Sequence, residues 1–327
     1  MRLADEFGQL FILAFDGARL PADVAEFFRT FHIGGVILFG DNYRDPEQLR
    51  ALVDDLQARA ATPGCPLFIT TDHEGGRVQR FRDGFTRLPP MAAMAERDPS
   101  ETEALYRTAA RELAAAGVNV DFAPVADLCA ADCAGAIGDR SFGDDPLLAA
   151  KHVAAAVRGI QSEGVLACVK HFPGHGATEE DSHRVLPSID RTRAEIDERD
   201  LVPFRAALHA GVAAVMTAHA TYPDDPLPAS LSPYWLRQVL RRGLGFEGLV
   251  VTDALEMKAL EGRYAYADAG ALALHAGSDV LLYYKEAFQY EAFWELRSRL
   301  ERGELDAGGI AESLARVRAA KQRLTRS

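Results

Sequence analysis

Apolar residues along this chain fall in short dense runs, separated by longer stretches with a helical period. Eight runs stand out: LFILAFDG (10–17), GGVILFG (34–40), LFITTDHE (67–74), VNVDFAPVAD (118–127), LACVKHF (166–172), AAVMTAHA (213–220), GLVVTDALEM (248–257) and DVLLYY (279–284). Most are continuous rather than alternating, which marks strands covered on both faces. Between them lie helical segments such as DPEQLRALVDDLQARA, SETEALYRTAARELAAAG and DPLLAAKHVAAAVRGIQSEG, the last two ending at Gly, where helices commonly stop. Asp45-Pro46 and Asp145-Pro146 each read as a cap followed by Pro at the first helical position. A final run, GGIAESLARVRAAKQRL, predicts a C-terminal helix over about 305–325.

Eight strand–helix units predict an α/β fold, a (β/α)8 TIM barrel filling residues 1–327 as a single catalytic domain. The N-terminal strands are where order or direction is expected to depart from the regular pattern. An open doubly wound sheet is the rival, but no G-x-G-x-x-G follows the first strand and no G-x-x-x-x-G-K-[ST] is present. No Pro- or Ser-rich linker marks a second domain. The two long loops, 127–146 and 171–190, would leave C-terminal strand ends, where barrel active sites sit.

Composition narrows the partners. The net charge of −12 argues against nucleic acid, whose backbone needs a positive patch. The apolar runs are strand-sized, so no membrane span is expected. The N-terminal MRLADEFGQLF carries acids and no secretory pattern. Four cysteines (Cys65, Cys129, Cys133, Cys168) are few for a disulfide scaffold and point to a reducing, cytoplasmic setting.

The strand ends collect reactive side chains: Asp16 on the first, Asp72, His73, Glu74 and Arg77 on the third, Asp127 on the fourth, Lys170-His171 on the fifth, His219 on the sixth and Asp253 on the seventh. Convergence of six strands on one rim predicts a functional pocket. Asp253 suits the nucleophile of a retaining glycosidase, or else caps a following helix through Thr252-Asp253. Asp181 and His183, one residue apart, point the same way in an extended segment. The carboxylate would raise the basicity of the imidazole, which could then move protons; a surface loop with an incidental His is the plainer reading. A metal-dependent barrel hydrolase built on His171, His175, His183, His219 and Asp253 is also open, although no H-E-x-x-H helix exists. Cys129-x-x-x-Cys133 looks like half a zinc knuckle without its second pair. FPGHG is a poor phosphate loop, because its lysine precedes the glycines.

These residues carry a family likeness. The segments IGGVILFGDNYRDPEQLRALV (33–53), TDHEGGRVQRFRDGFTRLPP (71–90), IGDRSFGDDP (137–146), KHFPGHGATEEDSH (170–183), MTAHATYP (216–223) and LRRGLGFEGLVVTDALEMKAL (240–260) resemble, in order, the compact single-barrel β-N-acetylglucosaminidases of glycoside hydrolase family 3. The resemblance implies Asp253 as nucleophile, His183 as acid/base with Asp181 as its partner, and Asp72, Arg140, Lys170 and His171 as sugar-binding residues. Arg77, His175 and His219 are left as pocket-shaping candidates. No metal or cofactor is implied. The implied substrate is a small GlcNAc-bearing carbohydrate, peptidoglycan-derived muropeptides first and chitooligosaccharides second, acted on by a monomer or weak dimer. Phosphorolysis, a β-glucosidase-like activity and a non-catalytic sugar-binding barrel are the alternatives. Three features depart from the family's proteobacterial pattern: strand one ends FDG, Asp253 is followed by Ala254-Leu255-Glu256 rather than a second Asp, and residues 128–136 form a Cys- and Ala-rich loop.

Overall fold

The computed structural model describes residues 3–62, 64–130, 135–176, 186–223 and 225–325. Eight short parallel strands form its centre: β1 (Phe11–Leu13), β2 (Gly35–Ile37), β3 (Phe68–Thr71), β4 (Val120–Asp121), β5 (Leu166–Phe172), β6 (Ala214–Thr217), β7 (Leu249–Thr252) and β8 (Leu281–Leu282). They neighbour one another in the order β8-β1-β2-β3-β4-β5-β6-β7. A parallel bridge between Val251 and Val280 brings β7 to β8 and closes the barrel. The N-terminal irregularity expected from sequence is absent, since β1 runs parallel to both β8 and β2. Irregularity sits at the functional end instead. Past β3 the chain turns into an antiparallel hairpin pairing His73–Gly75 with Val78–Gln79, so the predicted run 67–74 is split at Asp72.

Outer helices follow the strands: α1 (Ala22–Phe31), α2 (Pro46–Arg59), α3 (Pro99–Ala115), α4 (Pro146–Gln161), α5 (Leu201–His209), the π-wound α6 (Tyr234–Gly243), α7 (Tyr266–Ala276) and α8 (Glu286–Glu301). Their starts follow the local chemistry. Asp45 accepts from Gln48 N at 2.8 Å, and Asp145 accepts from Leu147 N and Leu148 N, each with Pro next in the chain. Such caps stabilise a helix by about 1 kcal/mol. The C-terminal helix, α9 (Ala307–Leu324), is capped by Asp306 and runs back to the N-terminal mouth of the barrel, where Lys321 Nζ donates to Gln9 Oε1 and to Gly34 O. Strand residues are buried on both faces, which explains their continuous apolar runs. Cys65 and Cys168 are free thiols. Cys129 is disulfide-bonded, a correction to the reading of the cysteines as a reduced set. Among the described residues no helix is long and apolar enough to cross a membrane.

Candidate active site

The C-terminal strand ends open into a pocket of about 450 Å³, within the range of small-ligand sites. Asp72, Arg77, Arg140, Lys170, His171, His175 and Asp253 all line it. Asp181 and His183 lie outside the described residues. Asp16 is exposed and is not among the lining residues.

Lys170 and His171 are consecutive on β5, yet both line the pocket. Regular strand alternation would send them to opposite faces. The β5–β6 register slips between Val169 and Phe172, which re-aims this stretch. Lys170 Nζ donates to Asp72 Oδ1 at 2.8 Å and to Glu74 Oε1 at 2.6 Å. Arg140 grips Glu74 with two bonds, Nε to Oε2 at 2.7 Å and Nη2 to Oε1 at 2.8 Å. Arg80 Nη2 donates to Asp72 Oδ2 at 3.0 Å.

Burial alone would raise both carboxyls, but the cations win. Lys170 and Arg80 hold Asp72 well below the usual carboxylate range, and Arg140 with Lys170 brings Glu74 down to about 2. The same two acids raise Lys170 against the effect of its burial. Glu74 lies beneath, 1% exposed, whereas Asp72 keeps 14% of its side chain accessible. Asp72 therefore presents an ionised acceptor to the pocket, and Lys170 and Arg140 stand behind it as donors. This ladder suits a vicinal diol or triol, whose hydroxyls both donate and accept.

On the opposite side, Asp127 is buried and accepts from His171 N at 3.2 Å and from His175 N at 2.7 Å, and its Oδ2 lies 2.7 Å from His171 Nδ1. The field of His171 keeps Asp127 below the usual carboxylate range despite burial. An ionised Asp127 is acceptor only, so the proton of a neutral His171 sits on Nδ1 and leaves Nε2 bare. His175 is pushed down to about 4 by burial. His219 does not line the pocket. Its Nε2 donates to Ala254 O at 2.9 Å and its Nδ1 accepts from Ser230 Oγ at 2.8 Å, so it fixes the backbone just after Asp253.

Asp253 ends β7. No helix begins there, because the next one starts at Tyr266, and the capping reading of Thr252-Asp253 falls away. Its Oδ1 accepts from Ala254 N at 2.8 Å. Burial raises its carboxyl, while His171, His219 and the Ala254 N–H lower it further than burial lifts it. Three carboxylates line the pocket, and among the described residues only Asp253 makes no ion pair.

Sequence reasoning did not single out Arg80, Phe39, Met257 or Tyr284, which complete the rim. The rings of Phe39 and Tyr284 pack edge to face at 5.5 Å, with Arg80 over Phe39. Arg80 carried one signal, its place in the RVQRFR run, but only the hairpin after β3 brings that run to the pocket. Among the described residues, no group of three or more His, Cys, Asp or Glu side chains is arranged to hold a metal ion.

Residues 2–320 match the glycosyl hydrolase family 3 N-terminal domain. A beta-hexosaminidase of Chromobacterium violaceum is 44% identical over 268 residues, 79% of this chain and 74% of that protein. A glycoside hydrolase family 3 beta-N-acetylglucosaminidase from Paenibacillus superposes with a TM-score of 0.95 at 38% identity; the alignment covers 99% of this chain but 63% of that longer one. A beta-N-acetylhexosaminidase from Beutenbergia cavernae, with a TM-score of 0.91 at 32% identity, is matched over 98% of this chain and 99% of its own.

Proposed function

The chain belongs to glycosyl hydrolase family 3, and on that premise we propose that it is a retaining, exo-acting β-N-acetylglucosaminidase that removes a terminal, non-reducing β-linked GlcNAc. The observation that carries this reading is the contrast among the three pocket carboxylates. Asp72 and Glu74 are neutralised by cations, whereas Asp253 lines the same space and makes no ion pair among the described residues; burial raises its carboxyl, but His171 and His219 bring it below the usual carboxylate range. A carboxylate in that state is poised to attack an electron-poor carbon.

The terminal sugar sits on the Asp72–Lys170–Arg140 ladder, which orients the ring and lowers the entropy cost of reaction. Asp253 attacks the anomeric carbon and forms the glycosyl-enzyme while the leaving oxygen takes a proton. At neutral pH that proton does not come from Asp72 or Glu74, which are ionised, nor from His175, which is neutral. We assign it to His183, with Asp181 steadying the imidazolium; the same histidine then takes a proton from water, and the hydroxide releases Asp253. A second reading rests on the His171–Asp127 pair, which has the same chemistry within the pocket. The natural substrate we favour is a muropeptide fragment of peptidoglycan.

The test compares p-nitrophenyl β-GlcNAc with the β-glucoside, with and without phosphate and a chelator. GlcNAc-selective, chelator-resistant hydrolysis with initial release of the β-anomer is expected. Preference for the glucoside overturns the substrate, and a sugar 1-phosphate product replaces hydrolysis with phosphorolysis.

A further inference from the structure

The face of the barrel opposite the active site carries a concentration of positive charge that the glycosidase reading does not use. Arg237, Arg241 and Arg242 lie on one side of α6, and Gly309, Glu312, Ser313 and Arg316 follow one face of α9; between them runs a groove of about 160 Å³. The chain as a whole is strongly acidic, with 48 Asp and Glu against 36 Lys and Arg.

Two of the four arginines have structural work. Arg241 Nη2 donates to the buried Asp279 at 2.5 Å, and Arg316 Nη1 reaches its other oxygen at 3.1 Å. Val250 N and Ser313 Oγ fill the remaining acceptor sites of Asp279. Glu312 spends its charge on Arg316 at 3.4 Å. Neither Arg237 nor Arg242 pairs with a carboxylate among the described residues. Arg237 gives only its Nε, to His275 O, and Arg242 is exposed with no ion pair. Four cations against Asp279 and Glu312 leave two positive charges lining the groove, and with Asp306 at its boundary beside Gly309 one remains in excess. Guanidinium groups are well matched to the planar, multi-acceptor edges of a phosphate. The groove adjoins a second hollow of about 180 Å³ lined by Leu272, Leu274, Leu305, Ile310 and His275 and by two carboxylates, Glu304, which pairs with Arg302, and Asp306, which accepts from Gly308 N; the two hollows share Leu274, Gly309 and Ser313. A body attached to the phosphate has room there.

We infer that this groove is a binding site for a dianionic phosphate group, either free or as the monoester of a small molecule. Its narrowness favours a small solute over an extended polyanion, and the net charge of the chain disfavours an anionic surface. The site is independent of the catalytic reading.

Calorimetric titration of the full chain with inorganic phosphate and with glucose 6-phosphate, at matched ionic strength and with GlcNAc saturating the catalytic pocket, tests it. Saturable binding of at least one probe is expected, weakened about tenfold or more in Arg237→Ala/Arg242→Ala, with p-nitrophenyl GlcNAc hydrolysis unchanged. Tighter binding of the ester would place its body in the adjoining hollow, and equal binding would make free phosphate the ligand. The single variant Arg242→Ala, at an exposed position, guards against loss of fold and should weaken binding in the same direction. Absence of saturable binding, equal affinity in the variants, or suppression by GlcNAc overturns the site.

Discussion

Asp72 and Asp253 show how neighbours, not residue type, assign a role. Both are carboxylates at strand ends, yet Lys170 and Arg80 hold Asp72 in ion pairs while Asp253 makes none among the described residues. The proton donor is the assignment most open to a decisive test. Removing a general acid costs about 10²–10⁴ in rate where the leaving group is basic and far less where it is acidic. His183→Ala should therefore lose turnover of a GlcNAc disaccharide while retaining much of its kcat/KM for dinitrophenyl GlcNAc, whose kcat still falls because release of the glycosyl-enzyme needs the same histidine as base. His171→Ala should lose both to similar degrees, as befits a sugar contact. The reverse pattern would move the role to the His171–Asp127 pair. A second carboxyl, Asp121, lies buried beside the ladder and accepts from His73 N at 3.0 Å. Burial, reinforced by the charges of Asp72 and Glu74, lifts it to about 7. Its proton is held more tightly in the folded chain than in the unfolded one, so its contribution to stability is full below the unfolded value and is lost as pH rises through 7. Asp121→Asn should remove that slope. Unfolding free energies of parent and variant, measured by urea titration between pH 4 and 7.5, should diverge by up to roughly 4 kcal/mol; parallel curves would show that Asp121 titrates normally.

At the scale of elements, periodicity located the eight strands and their helices because continuous apolar runs bounded by Gly and Asp-Pro punctuation are local signals. The limits of the strands were less legible. The run 118–127 shrinks to Val120–Asp121, because the buried chain beyond Asp121 makes scattered backbone bonds to its neighbours, such as Phe122 N to Thr71 O, Cys168 N to Ala123 O and the Val125–Lys170 bridge, without a continuous ladder. Burial of an apolar residue looks the same in strand and loop. Asp72, Lys170 and Asp253 could be located from the chain because each sits where apolar sequence stops. Arg80 and Tyr284 could not, since their places depend on the hairpin and on the closure of β8 against β1. Glu256 is a further case. Its buried carboxylate accepts from Tyr284 N and from Lys285 N, tying the segment after β7 to the end of β8 and so setting the aromatic rim. Glu256→Ala leaves two backbone donors unsatisfied, at about 1–3 kcal/mol each. We expect a stability loss on that scale together with a higher KM and a smaller change in kcat, read from urea melts and steady-state kinetics. A full stability loss with unchanged KM would detach Tyr284 from substrate binding.

Over the whole molecule, the two mouths of the barrel are built for opposite purposes. The C-terminal mouth keeps its charged groups open to a ligand, while the N-terminal mouth is stopped by α9, whose Lys321 reaches Gln9 and Gly34 and lies 4.8 Å over the ring of Phe68. Lys321 is 2% exposed, and burial pulls it down to about 8, partly offset by Cys65. Between about 8 and its unfolded value the unfolded chain binds the extra proton, so stability contributed by this residue rises with pH across that window. The buried tyrosines work the other way. Tyr106, Tyr222 and Tyr283 are raised by burial, and each loses folded-state advantage as pH climbs past the ordinary tyrosine range. The parent curve therefore mixes two slopes, and a variant is needed to separate them. In Lys321→Met the tyrosine slope stays and the lysine slope vanishes. The difference between parent and variant unfolding free energies should grow in favour of the parent from pH 7.5 to 10, by on the order of 2–3 kcal/mol. Hydrolysis of p-nitrophenyl GlcNAc at pH 7 should be unaffected, because the two mouths share no side chain. A pH-independent difference would mean that Lys321 keeps its ordinary affinity for the proton and that its hydrogen bonds, not its burial, dominate the plug.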